Sequence, residues 1–210
     1  MDLIKALEWR YATKRMNGEV VPQKKVDVIL GAAHLAPSGI GLQPYEIIVI
    51  TDQNLKAQIL PIAMNQMQVI ESSHLLVFAA WDEYSNERID KVFDYLNDAR
   101  GFVHQTSDRQ RNFAKKYFGE KSLEENFHHA AKQANIALGL AVAAAALERV
   151  DSSPMEGFDA QALDIFLGLP AKGLRSSMLL ALGYRHQKND WCLELKKVRK
   201  PFADFITELK

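Results

Sequence analysis

The chain has 210 residues, of which 48% are hydrophobic and 25% are charged. This length and composition are typical of one globular domain with a substantial core. The 26 basic and 26 acidic residues give a formal net charge of zero, so no general attraction to nucleic acid or to an anionic membrane is expected. Cys192 is the single cysteine, which excludes an intrachain disulfide, and no Cys/His spacing resembles a metal site.

The location of the protein is predicted from two further features. The first residues lack the uninterrupted apolar core of a secretory signal. The most apolar stretch, residues 136–147, is too short and too rich in small residues to span a bilayer. We therefore expect a cytoplasmic protein that does not enter a membrane.

Apolar periodicity predicts the elements in chain order. Helices are predicted over residues 3–9, 22–36, 54–62, 88–102, 108–117, 127–150 and 159–167, the last with Asp159 as its N-cap. Three continuous apolar runs predict buried strands over residues 45–51, 75–80 and 178–184. Residues 13–18, 37–41 and 152–158 are rich in turn formers and are predicted to be loops.

These elements predict an α+β fold of three layers. Strands that are apolar throughout are covered on both faces, so helices are expected on each side of the sheet. The helix over 127–150 carries almost no charge from Ala134 to Leu147, and we expect it to be the central helix and a part of a dimer interface.

Four segments carry possible chemistry, and each alone is typical of an ordinary turn or loop. They are Arg10-Tyr11-Ala12-Thr13-Lys14, Pro37-Ser38-Gly39-Ile40-Gly41-Leu42-Gln43-Pro44, Pro154-Met155-Glu156-Gly157-Phe158 and the basic pair Lys197 and Arg199. In this order and at these separations they resemble the signature segments of the FMN-dependent nitroreductase family. The resemblance extends from Ile4 to about Phe202. It implies a three-layer α/β/α sandwich with a central mixed sheet. It also implies an obligate homodimer, in which the C-terminal arm of each chain is exchanged onto its partner.

The resemblance also implies how the site is built. Arg10, Lys197 and Arg199 would bind the FMN phosphate, which suits the planar guanidinium, and either folding or dimerisation would have to bring them together. Lys14 would lie at the N1 and C2 edge of the ring and stabilise the negative charge of the reduced flavin. Asn65 and Gln68 would reach the ribityl chain and the ring. Pro154, Met155, Glu156 and Gly157 would cover one ring face, with the Glu156 and Gly157 N–H groups directed at N5 and O4.

The partner subunit would supply Pro37, Ser38 and Gly39, so the resemblance implies two sites at the dimer interface. Three departures from the family pattern bear on this site. Ala12 stands where a small hydroxyl residue is common, Tyr11 where histidine is frequent, and Gly39 and Ile40 where relatives have Ser and Thr, so the acceptor pocket is less polar. Phe113 is a candidate for a mobile aromatic gate over the flavin.

The implied activity is hydride transfer from NAD(P)H through FMN to an electron-poor small molecule, such as a nitroaromatic or a quinone, in a ping-pong sequence. No side chain acts as an acid, base or nucleophile, and Lys14 and Glu156 tune the cofactor. Two alternatives stay open. The acceptor is a free flavin, a dihydropteridine or an enone in the same fold, or the protein is a non-catalytic FMN carrier. The sequence does not indicate whether NADH or NADPH is the preferred donor.

Overall fold

A four-stranded sheet forms the centre of the domain. The computed structural model describes residues 2–103 and 105–209. The strands are β1 (Tyr45–Ile50), β2 (His74–Trp81), β3 (Asp151–Met155) and β4 (Leu174–Gly183), in the spatial order β1-β2-β4-β3. Each neighbouring pair is antiparallel. This corrects the predicted mixed sheet for the described residues of a single chain, in which the parallel pairing is limited to an isolated bridge between Ala12 and Ser152.

Helices cover both faces of this sheet. They are α1 (Leu3–Trp9), α2 (Gln23–His34), α3 (Gln53–Ile62), α4 (Gln68–Glu71), α5 (Asn86–Arg100), α6 (Asp108–Gly119), α7 (Leu123–Leu147), α8 (Ala160–Leu167) and α9 (Phe202–Phe205). Successive side chains of a strand point to opposite faces. Accordingly, Leu76 and Phe78 of β2 pack with α2 and α7, whereas Leu75 and Val77 pack with α3 and α8. The predicted three-layer arrangement is confirmed.

The central helix α7 begins with a capping box. The Ser122 hydroxyl accepts from the Glu125 N–H, and the Glu125 carboxylate accepts from the Ser122 N–H, so two N-terminal donors are satisfied. Ala130, Ala134 and Ala137 are fully buried, and their small side chains allow the close approach of neighbouring elements. The prediction of a central helix is therefore confirmed.

From the sequence, the apolar stretch over residues 136–147 is predicted to be too short to span a bilayer, and the length of α7 corrects that argument. The helix has 25 residues and a mean hydropathy of 1.4 in its most apolar window, so by length and composition it is able to cross a bilayer. It packs instead as a core helix, with a continuous row of buried alanines against α2 and the sheet. Burial explains the apolar character of this alanine row, whereas Ile136, Leu140 and Leu147 of the same helix stay partly exposed.

Residues 151–155 form a strand where a loop was predicted. Pro154 and the turn formers beside it favour a loop, because proline cannot donate to a strand ladder. β3 is the edge strand next to β4, however, and an edge position tolerates proline. The pairing of Met155 with Leu179 is the last of β3, and it fixes the start of the following 156–158 segment.

Candidate functional site

Cations from the two ends of the chain meet in one pocket. Arg10, at the C-terminal end of α1, lines a cavity of about 290 Å³ together with Lys197 and Arg199. The other lining residues are Tyr11, Ala12, Lys14, Cys192, Leu195 and Lys196. The sequence left open whether folding or dimerisation unites these cations, and in the structure the folding of one chain is sufficient.

Arg10 and Lys197 are both affected by the positive charge of Arg199. Burial lowers the pKa of the Arg10 guanidinium, and the charge of Arg199 lowers it further. Burial likewise lowers the pKa of the Lys197 ammonium, followed by the charges of Arg10 and Arg199. Arg199 therefore disfavours the charged forms of Arg10 and Lys197, and an anion among these cations would relieve the repulsion.

Unpaired polar atoms in the same region fit an anionic ligand. The Arg10 Nη2 donates to the Ser152 carbonyl at 3.2 Å. The Arg10 Nε, the Thr13 hydroxyl and the Ser152 hydroxyl are buried and have no hydrogen-bond partner among the described residues. Buried polar groups are nearly always paired, so a cationic pocket with unpaired groups beside it is suited to a ligand with several acceptor oxygens, such as a phosphate.

Lys197 has a structural role as well as the predicted one. Its ammonium donates to the carbonyl oxygens of Leu7 and Arg10, in the last turn of α1 and directly after it. These bonds hold the tail of the chain against the first helix. Because an ammonium has three N–H groups, one remains for a ligand. Arg199 is exposed, and its guanidinium donates to the Val198 carbonyl at 2.7 Å.

Tyr11 and Lys14 both donate hydrogen bonds to the buried carboxylate of Asp190. The Tyr11 hydroxyl donates to Asp190 Oδ2 at 2.9 Å, and the Lys14 N–H donates to the same oxygen at 3.2 Å. Burial, and then the hydrogen bond to Asp190, raise the pKa of the Tyr11 phenol above its ordinary value. Tyr11 is therefore a neutral hydrogen-bond donor over the whole physiological range.

The predicted polar segment after α3 is joined to the segment that follows β3. Gln66 Nε2 donates to the Gly157 carbonyl at 2.7 Å, and Gln68 Nε2 donates to Gln66 Oε1 at 3.3 Å. A Cβ atom at Gly157 would lie 3.2 Å from Gln66 Nε2, so glycine permits this close approach. Asn65 is exposed and has φ 56°, a left-handed conformation that asparagine tolerates.

Met155 differs in its orientation from the prediction. Its side chain is 4% exposed and packs with Val69 and Leu179 in the core below the sheet. The part of Met155 that remains for a ligand is therefore its backbone, and its side chain does not cover a ring face. Glu156 is exposed and Pro154 and Gly157 are half-buried, so these three residues remain accessible.

The loop after α2 lies away from the cationic pocket of its own chain. The Gly39 N–H donates to Gln133 Oε1 of α7 at 2.8 Å, and the Gln43 N–H donates to Ser38 Oγ at 2.9 Å. Pro37, Ser38 and Gly39 do not line the pocket around Arg10. The helix from Gln133 to its end is about 20 Å long, and α1 packs near that end, so the loop of one chain cannot complete its own pocket.

Phe113 is accessible and is not among the residues that line the cationic pocket. It lies on α6, its side chain is 60% exposed, and its ring stacks on Tyr117 with centroids 5.8 Å apart. It does not line the pocket around Arg10. The gate assignment stays a prediction.

Three residues that organise this region were not singled out in the sequence. Gln66 lies between the two chosen residues of its segment, so its polar character was visible there. Asp190 and Arg185 gave no signal, because isolated charged residues near a basic tail are typical of a solvated surface. Arg185 makes a bidentate pair with Asp151, with the shorter N···O distance at 2.6 Å.

Comparisons with known proteins agree with this architecture. The sequence pattern of the Nitroreductase family matches residues 7–184. The chain belongs to the nitroreductase family. It is 32% identical to the major NAD(P)H-flavin oxidoreductase of Aliivibrio fischeri, over 99% of this chain and 98% of that protein. It is 27% identical to the oxygen-insensitive NAD(P)H nitroreductase of Salmonella typhimurium, over 100% of both proteins.

Solved structures show the same fold. A nitroreductase family protein of Streptococcus pneumoniae has a TM-score of 0.83 and 21% identity, and the similarity covers 99% of this chain and 100% of that one. A protein of Exiguobacterium sibiricum, solved in complex with FMN, has a TM-score of 0.82 and 20% identity over 100% of this chain and 98% of that one.

Proposed function

We propose that the protein transfers hydride from NAD(P)H through bound FMN to electron-poor small molecules, such as nitroaromatics or quinones, in a ping-pong sequence. The observation that carries this proposal is the convergence of Arg10, Lys197 and Arg199 around one pocket, with Lys14 on its rim. The relatives named NAD(P)H-flavin oxidoreductase and NAD(P)H nitroreductase support it.

Each group of site residues would have its own role in binding FMN or in tuning its reactivity. The cations bind the phosphate, and FMN, when bound, supplies hydride acceptance and donation. The Lys14 ammonium favours negative charge at the adjacent ring edge. The N–H groups of Glu156 and Gly157 are available as donors beside the ring, because Gln66 holds this segment through the Gly157 carbonyl instead. Asn65, which is exposed, would bind the ribityl chain.

Surfaces that one chain leaves uncovered support a homodimer with sites at its interface. Ile136, Leu140 and Leu147 are 38–43% exposed and are spaced to form one stripe on α7. β1 is an edge strand, so it is free to pair with another chain.

The C-terminal arm, residues 201–209, carries four exposed apolar side chains, Phe202, Phe205, Ile206 and Leu209. Exposed apolar groups at this density usually mark an interface. We therefore propose that the arm packs on the partner, whose Pro37–Gly39 loop completes the site. The NAD(P)H requirement favours a cytoplasmic location.

One observation favours a second acceptor. The relative at 32% identity is named a flavin oxidoreductase, which supports free flavin as an alternative to nitroaromatics. Steady-state rates with a nitroaromatic, a quinone and free FMN at equal NADH would separate the two. A dihydropteridine and an enone belong in the same panel. A protein that binds FMN but oxidises no nicotinamide would be a carrier.

The first test is the absorbance spectrum of the purified protein after FMN is added, before and after anaerobic NADPH or NADH. Flavin bands that bleach with nicotinamide are expected. Arg199→Gln removes one pocket cation, and Lys200→Gln removes its neighbour, which does not line the pocket. A lost charged hydrogen bond is worth about 1.5–3 kcal/mol, so Arg199→Gln should weaken FMN binding about tenfold or more. Equal dissociation constants for the two variants would contradict the phosphate assignment.

A further inference from the structure

Asp190 joins the first fifteen residues of the chain to its C-terminal tail. Its side chain is almost fully buried, with 5% exposed. Oδ2 accepts from the Tyr11 hydroxyl and the Lys14 N–H, and Oδ1 accepts from the Cys192 N–H at 3.1 Å. The three donors come from both ends of the sequence, so one carboxylate fixes two segments that are about 180 residues apart.

A carboxylate is an unexpected neighbour for an anion-binding pocket. A negative charge near the cations would repel a phosphate, so Asp190 cannot serve as a phosphate ligand. Burying a carboxylate also costs free energy unless it is paired. The presence of Asp190 is explained if its hydrogen bonds fix the segments that carry the cations. The gain from this fixed geometry must then exceed both the repulsion of the phosphate and the cost of burying the carboxylate.

The contacts around Asp190 show which segments are ordered. Asp190 holds the start of the tail, and Lys197 holds the tail again through the Leu7 and Arg10 carbonyls. The stretch between these two attachments carries Cys192, Leu195 and Lys196, which line the pocket wall. Arg199, two residues after the second attachment, is thereby placed opposite Arg10.

Tyr11 is fixed from both sides. Its hydroxyl binds Asp190, and its ring lies 4.6 Å from the Arg185 guanidinium, which stacks on the Trp9 ring at 4.4 Å and pairs with Asp151. Arg10 lies between Trp9 and Tyr11 in the sequence. Because the rings of both neighbours contact Arg185, the backbone of Arg10 is fixed on its N-terminal and its C-terminal side.

We propose that Asp190 is a positioning residue for the phosphate end of the cofactor site. It acts through Tyr11 and through the start of the tail, and it touches no ligand itself. This inference rests on the proposed FMN-binding function. Asp190 also accepts from the Lys14 N–H, which belongs to the ring end. That end should still depend less on Asp190, because Glu71 anchors the same segment separately by accepting from the Arg15 guanidinium and from the Met16 N–H at 2.9 Å.

The test compares Asp190→Asn with Asp164→Asn as a matched control. Asp164 is 7% exposed and accepts from the Ser176 N–H at 2.7 Å, but it lies on α8, and it does not line the cationic pocket. Dissociation constants for FMN and for riboflavin, which lacks the phosphate, are measured by quenching of flavin fluorescence. Asp190→Asn should weaken FMN binding about tenfold and riboflavin binding less than about threefold, because the amide disrupts at least one charged hydrogen bond. Asp164→Asn should change neither by more than about twofold.

A second readout needs no flavin. In the ligand-free protein, backbone amides of residues 191–197 should exchange with deuterium faster in Asp190→Asn than in the unsubstituted protein, and should be unaffected in Asp164→Asn. Equal weakening of FMN and riboflavin, or unchanged amide exchange, would overturn the positioning role. If the unsubstituted protein binds neither flavin, the proposed function fails and this inference fails with it.

Discussion

Ile40 occupies a backbone conformation that its side chain disfavours. Its φ is 56° and its ψ is 14°, in the left-handed region, and β-branched residues are rare there. The cost for a residue with a Cβ is about 1–2 kcal/mol. The surrounding loop maintains the conformation, because Ser38 binds the Gln43 N–H and Gln133 binds the Gly39 N–H. Strain of this kind often occurs at functional sites.

Replacing Ile40 with glycine should therefore change stability very little. The side chain is 37% exposed, so its loss forfeits roughly two thirds of the value of full burial, about 1–2 kcal/mol. The added freedom of glycine in the unfolded chain costs about 0.5–1 kcal/mol. Relief of the left-handed strain returns about 1–2 kcal/mol. The net change in the free energy of unfolding is expected to be within about 1 kcal/mol of zero.

Val28→Gly is the control. Val28 is also β-branched and is 44% exposed, but it lies within α2. The same loss of burial is joined there by the penalty of about 1 kcal/mol for a helical glycine, so a decrease of about 2 kcal/mol is expected. Urea unfolding of the ligand-free variants at one fixed protein concentration measures both. Equal destabilisation by the two substitutions would refute the strain at Ile40.

Three further predictions follow from other groups. Phe113→Ala should alter the preference among acceptors and leave FMN content unchanged, and a loss of FMN measured by absorbance would exclude the gate. Cys192 lines the cationic pocket, so bound FMN should slow its reaction with a thiol reagent, and an equal rate without FMN would place the cofactor elsewhere. Burial, and then the charge of Lys56, lower the pKa of His74, so the folded state binds this proton less readily than the unfolded state. Stability should therefore decline as the pH falls below about 6.5, the ordinary imidazole pKa, and His74→Gln should reduce that decline in urea titrations.

The helices and central strands were predictable because their signals are local. The apolar runs of β2 and β4 and the alanine-rich α7 each exceed one period of their element, so their type could be inferred, with ends displaced by a few residues. β3 could not be inferred, since a five-residue segment with a proline becomes a strand only by pairing with β4. That pairing is set by the tertiary fold.

The candidate site divides in the same way. Arg10, Lys14, Lys197 and Arg199 were identified through short motifs, and the structure gathers them in one pocket. The burial of the Met155 side chain could not be foreseen, because it depends on which face of β3 meets the core. Asp190 was missed for a related reason, since its partners lie at the opposite end of the chain.

The distance between the cationic pocket and the Ile40 loop makes the two halves of the site genetically separable. In a dimer of the proposed kind, each site takes its pocket from one subunit and its loop from the other. A chain whose pocket substitutions abolish FMN binding and a chain whose loop substitutions abolish turnover would each be inactive alone. After unfolding and refolding as an equal mixture, about half of the dimers would be mixed and would hold one intact site, restoring about a quarter of the unsubstituted activity. Such intersubunit complementation would make the refolded mixture more active than either variant alone.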